Sequence, residues 1–241
     1  MRMFAGPNGS GKSTLRDLML PEWIGVYLNP DELEHAIRRD GHLDFGAYGV
    51  APTDSQVRNF FQQSNLLQGK GLVDEARRLT LDSNRLDFTH APVNAYFASV
   101  IADLIRRLLV DERRTFTFET VMSAPAKVAF MEHARSAGYR IYLYYIATDD
   151  PQINLSRVAT RVSMGGHNVP DDKVVSRYYR SLDLLHDAIL RSDRAYIFDN
   201  SGDQQGKTWL AESTNGHDLI LRSSLIPAWF QKAVLDKFAD C

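Results

Sequence analysis

Gly6-Pro7-Asn8-Gly9-Ser10-Gly11-Lys12-Ser13-Thr14 fits the pattern G-x-x-x-x-G-K-[ST] and stands between a short apolar run, residues 1–5, and a stretch of helical periodicity, residues 11–20. Strand, glycine-rich turn and helix, in that order, form the setting in which this pattern has a physical meaning. Glycines let the backbone bend until successive N–H groups face one concavity, and the positive end of the following helix adds to its pull on anions. Such a concavity suits phosphate. Lys12 then reaches the β- and γ-phosphates of a nucleotide, and Ser13 offers its hydroxyl to Mg²⁺. The nine residues Gly6, Pro7, Asn8, Gly9, Ser10, Gly11, Lys12, Ser13 and Thr14 are therefore the expected ATP contacts, with Ser13 the expected metal ligand. The plainer alternative is a glycine turn capped by Ser13.

Working outward, short runs rich in aromatic and β-branched residues predict strands at 25–28, 115–118, 140–148 and 194–199. Between them, helical periodicity covers 30–39, 54–68, 92–109, 124–137, 152–164 and 171–192. Alternation of this kind predicts an α/β fold with a parallel central sheet covered on both faces; together with the loop at 6–14 and the arginines around Gly165-Gly166, the expectation is a three-layer αβα P-loop NTPase, nucleotide-kinase-like with a helical lid. Residues 40–52 read as an inserted loop and residues 164–170 as a mobile connection between helices. A strand at 218–221 and an amphipathic helix at 227–238 complete the reading. The expected organisation is one P-loop kinase domain over 1–241, with its lid at about 157–180 and a C-terminal extension at about 202–241.

With 241 residues, 44 % hydrophobic and 24 % charged, the chain has the composition of a globular protein with a sizeable core. Its formal charge of −2 excludes a polycation that coats nucleic acid or anionic membrane. The paired arginines Arg38-Arg39, Arg77-Arg78, Arg106-Arg107 and Arg113-Arg114 lack regular aromatic interleaving, which reads as solvated helix surface. One cysteine, Cys241, allows no disulfide within the chain, and no long apolar run suggests a signal peptide or a membrane span. A cytoplasmic location is the expectation.

Neither an L-S-G-G-Q signature nor an N-K-x-D motif occurs, which demotes ABC-type ATPase and GTPase readings. What remains is transfer of the γ-phosphoryl group, which demands positioning and charge stabilisation. Asp31 follows the predicted strand 25–28, at the edge where the carboxyl ends of strands line the ligand crevice of an open α/β sheet. There it can orient an acceptor hydroxyl and take its proton, although a carboxylate after Pro30 also suits a helix start. Glu119, Thr120 and Ser123 follow the strand 115–118 and are expected to hold substrate. Glu119 would bind substrate hydroxyls or a Mg²⁺-bound water, while Ser123 also suits the cap of the next helix. Arg157 and Arg161 share one helix face, and Arg177 and Arg180 follow the Gly165-Gly166 connection. These guanidiniums resemble a lid that closes on the phosphates, with partnership to Asp149, Asp150, Asp171 and Asp172 as the alternative. His167 has no second ligand at metal spacing and reads as a lid residue. Asn200 sits where nucleotide kinases of this architecture wrap the adenine base. Trp229, Phe230 and Phe238 mark the last helix as either a packed end or a partner interface.

The ordered set of 5–14, Asn29-Pro30-Asp31, Phe118-Glu119-Thr120-Val121-Met122-Ser123, 157–161 with 165–170, Ser176-Arg177-Tyr178-Tyr179-Arg180 and Phe198-Asp199-Asn200-Ser201 resembles the zeta toxin-like kinases. It is nearer to the branch of bacterial proteins often labelled predicted ABC-type ATPases than to the plasmid toxins. The resemblance covers about residues 3–201. It implies a P-loop kinase using ATP and Mg²⁺, whose best-known members phosphorylate the 3′-hydroxyl of the amino sugar in UDP-N-acetylglucosamine. By this resemblance Asp31 matches the catalytic base, Lys12 and Ser13 the phosphate and metal contacts, Glu119 a substrate contact, and Arg157, Arg161 and Arg177 the charge stabilisers. It also implies a small antitoxin protein as a partner. Two other readings stay open: a kinase for another acceptor (a nucleotide, another sugar or a nucleic-acid end), and a nucleotide-binding protein that acts through a protein partner.

Overall fold

A computed structural model describes residues 1–166, 168–202 and 206–239. His167 and Cys241, named above, lie outside the described residues. Among the described residues ten strands occur in chain order: β1 (Arg2–Ala5), β2 (Val26–Leu28), β3 (His42–Asp44), β4 (Thr80–Asp82), β5 (Arg85–Asp87), β6 (Phe116–Thr120), β7 (Tyr142–Ala147), β8 (Arg194–Asp199), β9 (Thr208–Thr214) and β10 (Asp218–Leu221). The chain divides into two compact units, Met1–Ile24 with Thr117–Cys241, and Gly25–Phe116.

In the first unit the strands run in the order β10-β9-β8-β7-β1-β6. β6, β1, β7 and β8 are parallel, and β9 and β10 are antiparallel additions at one side. The fold is thus α/β with a mostly parallel central sheet flanked by helices, and the tail that was read as one strand holds a hairpin. Its turn residues Asn215 and Gly216 have φ of 53° and 77°, the left-handed pair that an Asn-Gly dipeptide supplies at low cost. That dipeptide is the signal the periodicity reading passed over.

Alternation along the strands sends Met3, Phe118, Leu143, Tyr145, Ala195 and Ile197 to one face, where all are buried. Helices Pro125–Ser136, Asp171–Asp183 and Leu185–Leu190 belong to this layer, with Phe130 edge-on to Phe118 at 5.8 Å and Ser181 hydrogen-bonded to the Tyr145 hydroxyl at 3.0 Å. Each large side chain so buried stabilises the fold by about 1.5–3 kcal/mol. The predicted helix 171–192 breaks at Leu184, between two helices. At the C-terminus helical structure runs through Ala228–Phe230, Gln231–Leu235 and Asp236–Ala239. Trp229 and Phe230 are buried, and the indole N–H of Trp229 donates to Asp199 Oδ1 at 2.9 Å. Trp229 and Phe230 thus belong to a packed end, while Phe238 is half-buried.

The predicted helix at 11–20 is a 3₁₀ run, Lys12–Leu18, followed by the short helix Pro21–Ile24. Ser13 and Thr14 are weak helix formers, and the Thr14 hydroxyl donates to Gly11 O at 2.7 Å, tightening the first turn.

The second unit is built on two helices, Pro30–Asp40 and Ala95–Asp111, with Phe61 and Phe88 edge-on to Phe97 at 6.3 and 5.9 Å. Residues 40–52, expected as a loop, contain β3 and a 3₁₀ turn, Phe45–Tyr48. β3 pairs with β5, and β5 with β4, in a small antiparallel sheet absent from the sequence reading. The β4–β5 turn is Ser83-Asn84, with φ of 48° and 67° and no glycine to announce it. Arg106, expected on a solvated face, is buried and paired with Asp103. Among the described residues no helix is long and apolar enough to cross a membrane.

Candidate nucleotide site

The glycine-rich loop leaves β1 at Gly6, whose φ is +144° and where a Cβ would lie 2.0 Å from the carbonyl oxygen of Ile146. Gly9 has φ of +73°, and a Cβ there would lie 2.7 Å from Asn154 O. Only glycine fits these two positions.

Three side chains from distant parts of the sequence grip the loop, and one of its own folds back on it. Asn154, on the helix Pro151–Ser163, donates through Nδ2 to Asn8 O at 2.5 Å and accepts from the Thr148 hydroxyl. Asn200, just past β8, donates to Ser10 O at 2.8 Å, and its own carbonyl accepts from Arg157 Nη1 at 2.7 Å. Glu119, at the end of β6 and 7 % exposed, accepts from the Ser13 hydroxyl at 3.2 Å. Lys12 Nζ donates to Pro7 O at 2.9 Å, which keeps the ammonium over the loop.

This arrangement fits a nucleotide phosphate and a divalent cation. Ser10 is fully buried and its Oγ has no partner among the described residues, as is true of Asn8 Oδ1. Buried polar atoms without partners are uncommon and each calls for an explanation; at this loop an oxygen of a bound phosphate would partner the Ser10 hydroxyl. Beside them, a hydroxyl and a carboxylate, Ser13 and Glu119, meet at hydrogen-bond distance, the hard oxygen donors that Mg²⁺ prefers.

Of the expected site residues, the structure therefore brings together 6–14, Glu119, Asn200 and Arg157. Arg161 lies one turn along the same helix, with its Cγ 2.6 Å from where a Cβ on Gly166 would be. Arg177 is half-buried on the helix Asp171–Asp183 and touches no loop residue among the described contacts, while Arg180 donates back to Ser176 O at 3.3 Å. Thr120 Oγ1 accepts from Met122 N at 3.0 Å. Met122 is buried with φ of +52°, a strained conformation for a side chain of its size and of the kind that gathers at functional sites. Ser123 is not the helix cap: Ala124 occupies that position, with no side-chain hydrogen bond. Asp31 belongs to the second unit, exposed in the first turn of Pro30–Asp40. The Asn29 side chain accepts from Asp31 N at 2.9 Å, so the cap is Asn29 and not Asp31.

Asn154 was not foreseen. Its signal was a polar residue one turn before Val158 on the apolar stripe of its helix, and it is wholly buried. Asn154→Ala removes the bond to Asn8 O and leaves the Thr148 hydroxyl only its longer contact with Asp150 O at 3.4 Å. A loss of about 2 kcal/mol is expected, read as a lower thermal midpoint. Tyr178 supports the same corner, donating to Thr148 O at 2.6 Å. Burial, then the carboxylates of Asp149, Asp150 and Asp199, push its hydroxyl well above the usual tyrosine range, so it stays a donor.

No known family profile matches the chain. Over 108 residues, 43 % of this chain and 77 % of the other, it is 27 % identical to an uncharacterized protein of Haemophilus influenzae. Among solved structures it is similar to a chain of the AvrRxo1-ORF1:AvrRxo1-ORF2 complex with sulphate ions, with a TM-score of 0.53 at 14 % identity over 92 % of this chain. A structure of that complex with ATP gives 0.52 at 14 % identity over the same share of this chain. The chain spans about three fifths of those chains, 61 % and 60 %. A chain from the PezAT chromosomal toxin–antitoxin system of Streptococcus pneumoniae gives 0.50 at 15 % identity, covering 99 % of this chain and 83 % of that one. The α/β fold with a mostly parallel central sheet flanked by helices is the one these solved chains share. In that fold the loop at 6–14 stands where a parallel strand delivers it, and Glu119 arrives from the neighbouring strand β6.

Proposed function

We propose that the chain is an ATP- and Mg²⁺-dependent kinase that transfers the γ-phosphoryl group to a hydroxyl of a small polar acceptor, a UDP-N-acetyl amino sugar. The observation that carries this reading is the loop itself, two glycines that admit no side chain and a buried unpartnered hydroxyl, closed by the Ser13–Glu119 contact at 3.2 Å. The likeness in fold to a complex solved with ATP supports it.

In this reading Lys12 and the loop N–H groups bind the β- and γ-phosphates, and Arg157 and Arg161 brace the charge that develops during transfer. Ser13 and Glu119 would hold Mg²⁺, which when bound neutralises phosphate charge. Asn200 positions the loop and borders the base. Glu119, Thr120 and Ser123 also offer hydrogen bonds to the acceptor, and Arg177 is assigned to the lid. Asp31 takes the proton of the acceptor hydroxyl. The acceptor oxygen bonds to the γ-phosphorus as the bond to the β–γ bridging oxygen breaks, and ADP leaves.

The acceptor class rests on the resemblance to zeta toxin-like kinases, as does the proposal of a small antitoxin partner. The solved chains include one from a toxin–antitoxin system, which supports the latter. The reading in which the protein acts chiefly through a partner on its C-terminal segment loses its support, since Trp229 and Phe230 are buried.

The test is incubation of the purified protein with Mg²⁺-ATP and UDP-N-acetylglucosamine, reading the sugar nucleotide by mass. Gain of one phosphoryl group, absent in Asp31→Asn, is expected. Unchanged sugar nucleotide with ATP bound overturns the acceptor, and failure to bind ATP overturns the kinase.

A further inference from the structure

β10 is an edge strand, and its main-chain pattern has a definite parity. Arg222 N donates to Leu210 O at 2.8 Å, continuing the register in which Ile220 faces Glu212 and Asp218 faces Thr214. Alternation in an antiparallel ladder then turns the N–H and C=O groups of Asp218, Ile220 and Arg222 toward β9, and those of Leu219 and Leu221 outward. Among the described residues no strand pairs with that outer side. Most short edges are blunted by charge or proline, yet here Ile220 and Leu221 are 47 % and 49 % exposed.

The charges beside this edge are unbalanced. Glu212 faces two guanidiniums, Arg222 Nη2 at 2.5 Å and Arg194 Nη1 at 3.9 Å, and Arg222 also lies 5.1 Å over the Trp209 ring. Asp218, on the same strand face as Ile220 and Arg222, pairs with no cation among the described contacts.

We propose that β10 pairs antiparallel with β10 of a second copy of this chain, continuing the sheet across a two-fold axis at Ile220. In that register Leu219 exchanges both main-chain hydrogen bonds with Leu221 of the second copy, which satisfies every outward group of the strand. Ile220 meets Ile220 of the second copy in the closer, non-hydrogen-bonded pairing, and Asp218 falls opposite Arg222. The unpaired carboxylate thereby reaches the cluster that holds a surplus cation. A two-fold contact requires a surface complementary to itself, and the stretch Asp218-Leu219-Ile220-Leu221-Arg222 is complementary to its own reverse. An unlike partner strand would have no need of that symmetry.

Light scattering after size exclusion tests the proposal, and twice the monomer mass is expected. Ile220→Lys sets like charges opposite each other and raises the dissociation constant by about tenfold or more. Because Ile220 is exposed, the circular dichroism should not change. In a Cys241→Ser background, Ile220→Cys should form an intermolecular disulfide under mild oxidation, whereas Leu219→Cys, whose partner is position 221, should not. A monomer at all concentrations overturns the proposal. A dimer indifferent to Ile220→Lys, or equal cross-linking at 219 and 220, places the contact elsewhere and overturns it too.

Discussion

Asp31→Asn is expected to lower phosphoryl transfer by about 10²–10⁴-fold while leaving ATP affinity within a few-fold of the original protein. The substitution keeps the size and shape of the side chain while removing its negative charge and its ability to accept a proton. It should also leave the fold intact. Asp31 is exposed, and its helix is started by Pro30 and capped by Asn29, whose side chain accepts the Asp31 N–H at 2.9 Å. That division of labour matters to the interpretation, because a lost cap would itself cost about 1 kcal/mol and blur any kinetic effect. Single-turnover transfer measured beside ATP binding separates the two. Equal transfer by Asp31→Asn and the original protein would remove Asp31 from the chemistry.

Lys12→Met is expected to act at both stages, weakening ATP binding and reducing transfer by about 10²–10³-fold. The ammonium now rests on Pro7 O at 2.9 Å, within the turn that the loop glycines form. It is the loop's own cation, and methionine retains most of the length without the charge. Its loss should therefore be felt most where negative charge builds on the transferred group. Thermal stability should fall by no more than about 1.5–3 kcal/mol, the worth of a hydrogen bond from a charged group, here to the part-buried Pro7 carbonyl. Titration calorimetry with ATP, together with the transfer rate, checks this. Unaltered ATP affinity and rate would mean that the loop holds no phosphate.

The two substitutions probe different units of the chain and different signals in the sequence. Lys12 was readable from nine consecutive residues, because the turn it belongs to is dictated locally by glycine conformation and by the flanking strand and helix. Asp31 was readable only as a carboxylate after a predicted strand. A helix-start role stood beside that reading without excluding it, and Asn29 fills the cap. Glu119 stands between these cases. Its position at the end of β6 was legible, but its contact with Ser13, 106 positions away in the chain, was not. Asn154 escaped altogether, since periodicity marks a helical stripe as apolar and gives no reason for one polar member until the carbonyl it serves is known.

Misreadings of the fold have the same origin. Residues 40–52 are rich in glycine and polar side chains, and they form β3 because β5 lies beside them, 43 positions on in the pairing of Leu43 with Leu86. Arg106 looked like solvated surface because it adjoins Arg107, yet Asp103 pairs with it three residues earlier while the helix buries that side.

What the sequence by itself determined is the glycine-rich loop, the α/β class and where the main strands of the parallel sheet lie along the chain. Each of these rests on interactions within a turn or on the period of apolar residues, both of which operate over a few positions. Only the tertiary structure decided which polar side chains brace the loop, that the C-terminal segment is packed, and that the sheet ends in an antiparallel hairpin with an open edge. Those outcomes depend on which strands become neighbours, and sheet pairing is set by contacts between residues far apart in the chain, where no local propensity reaches.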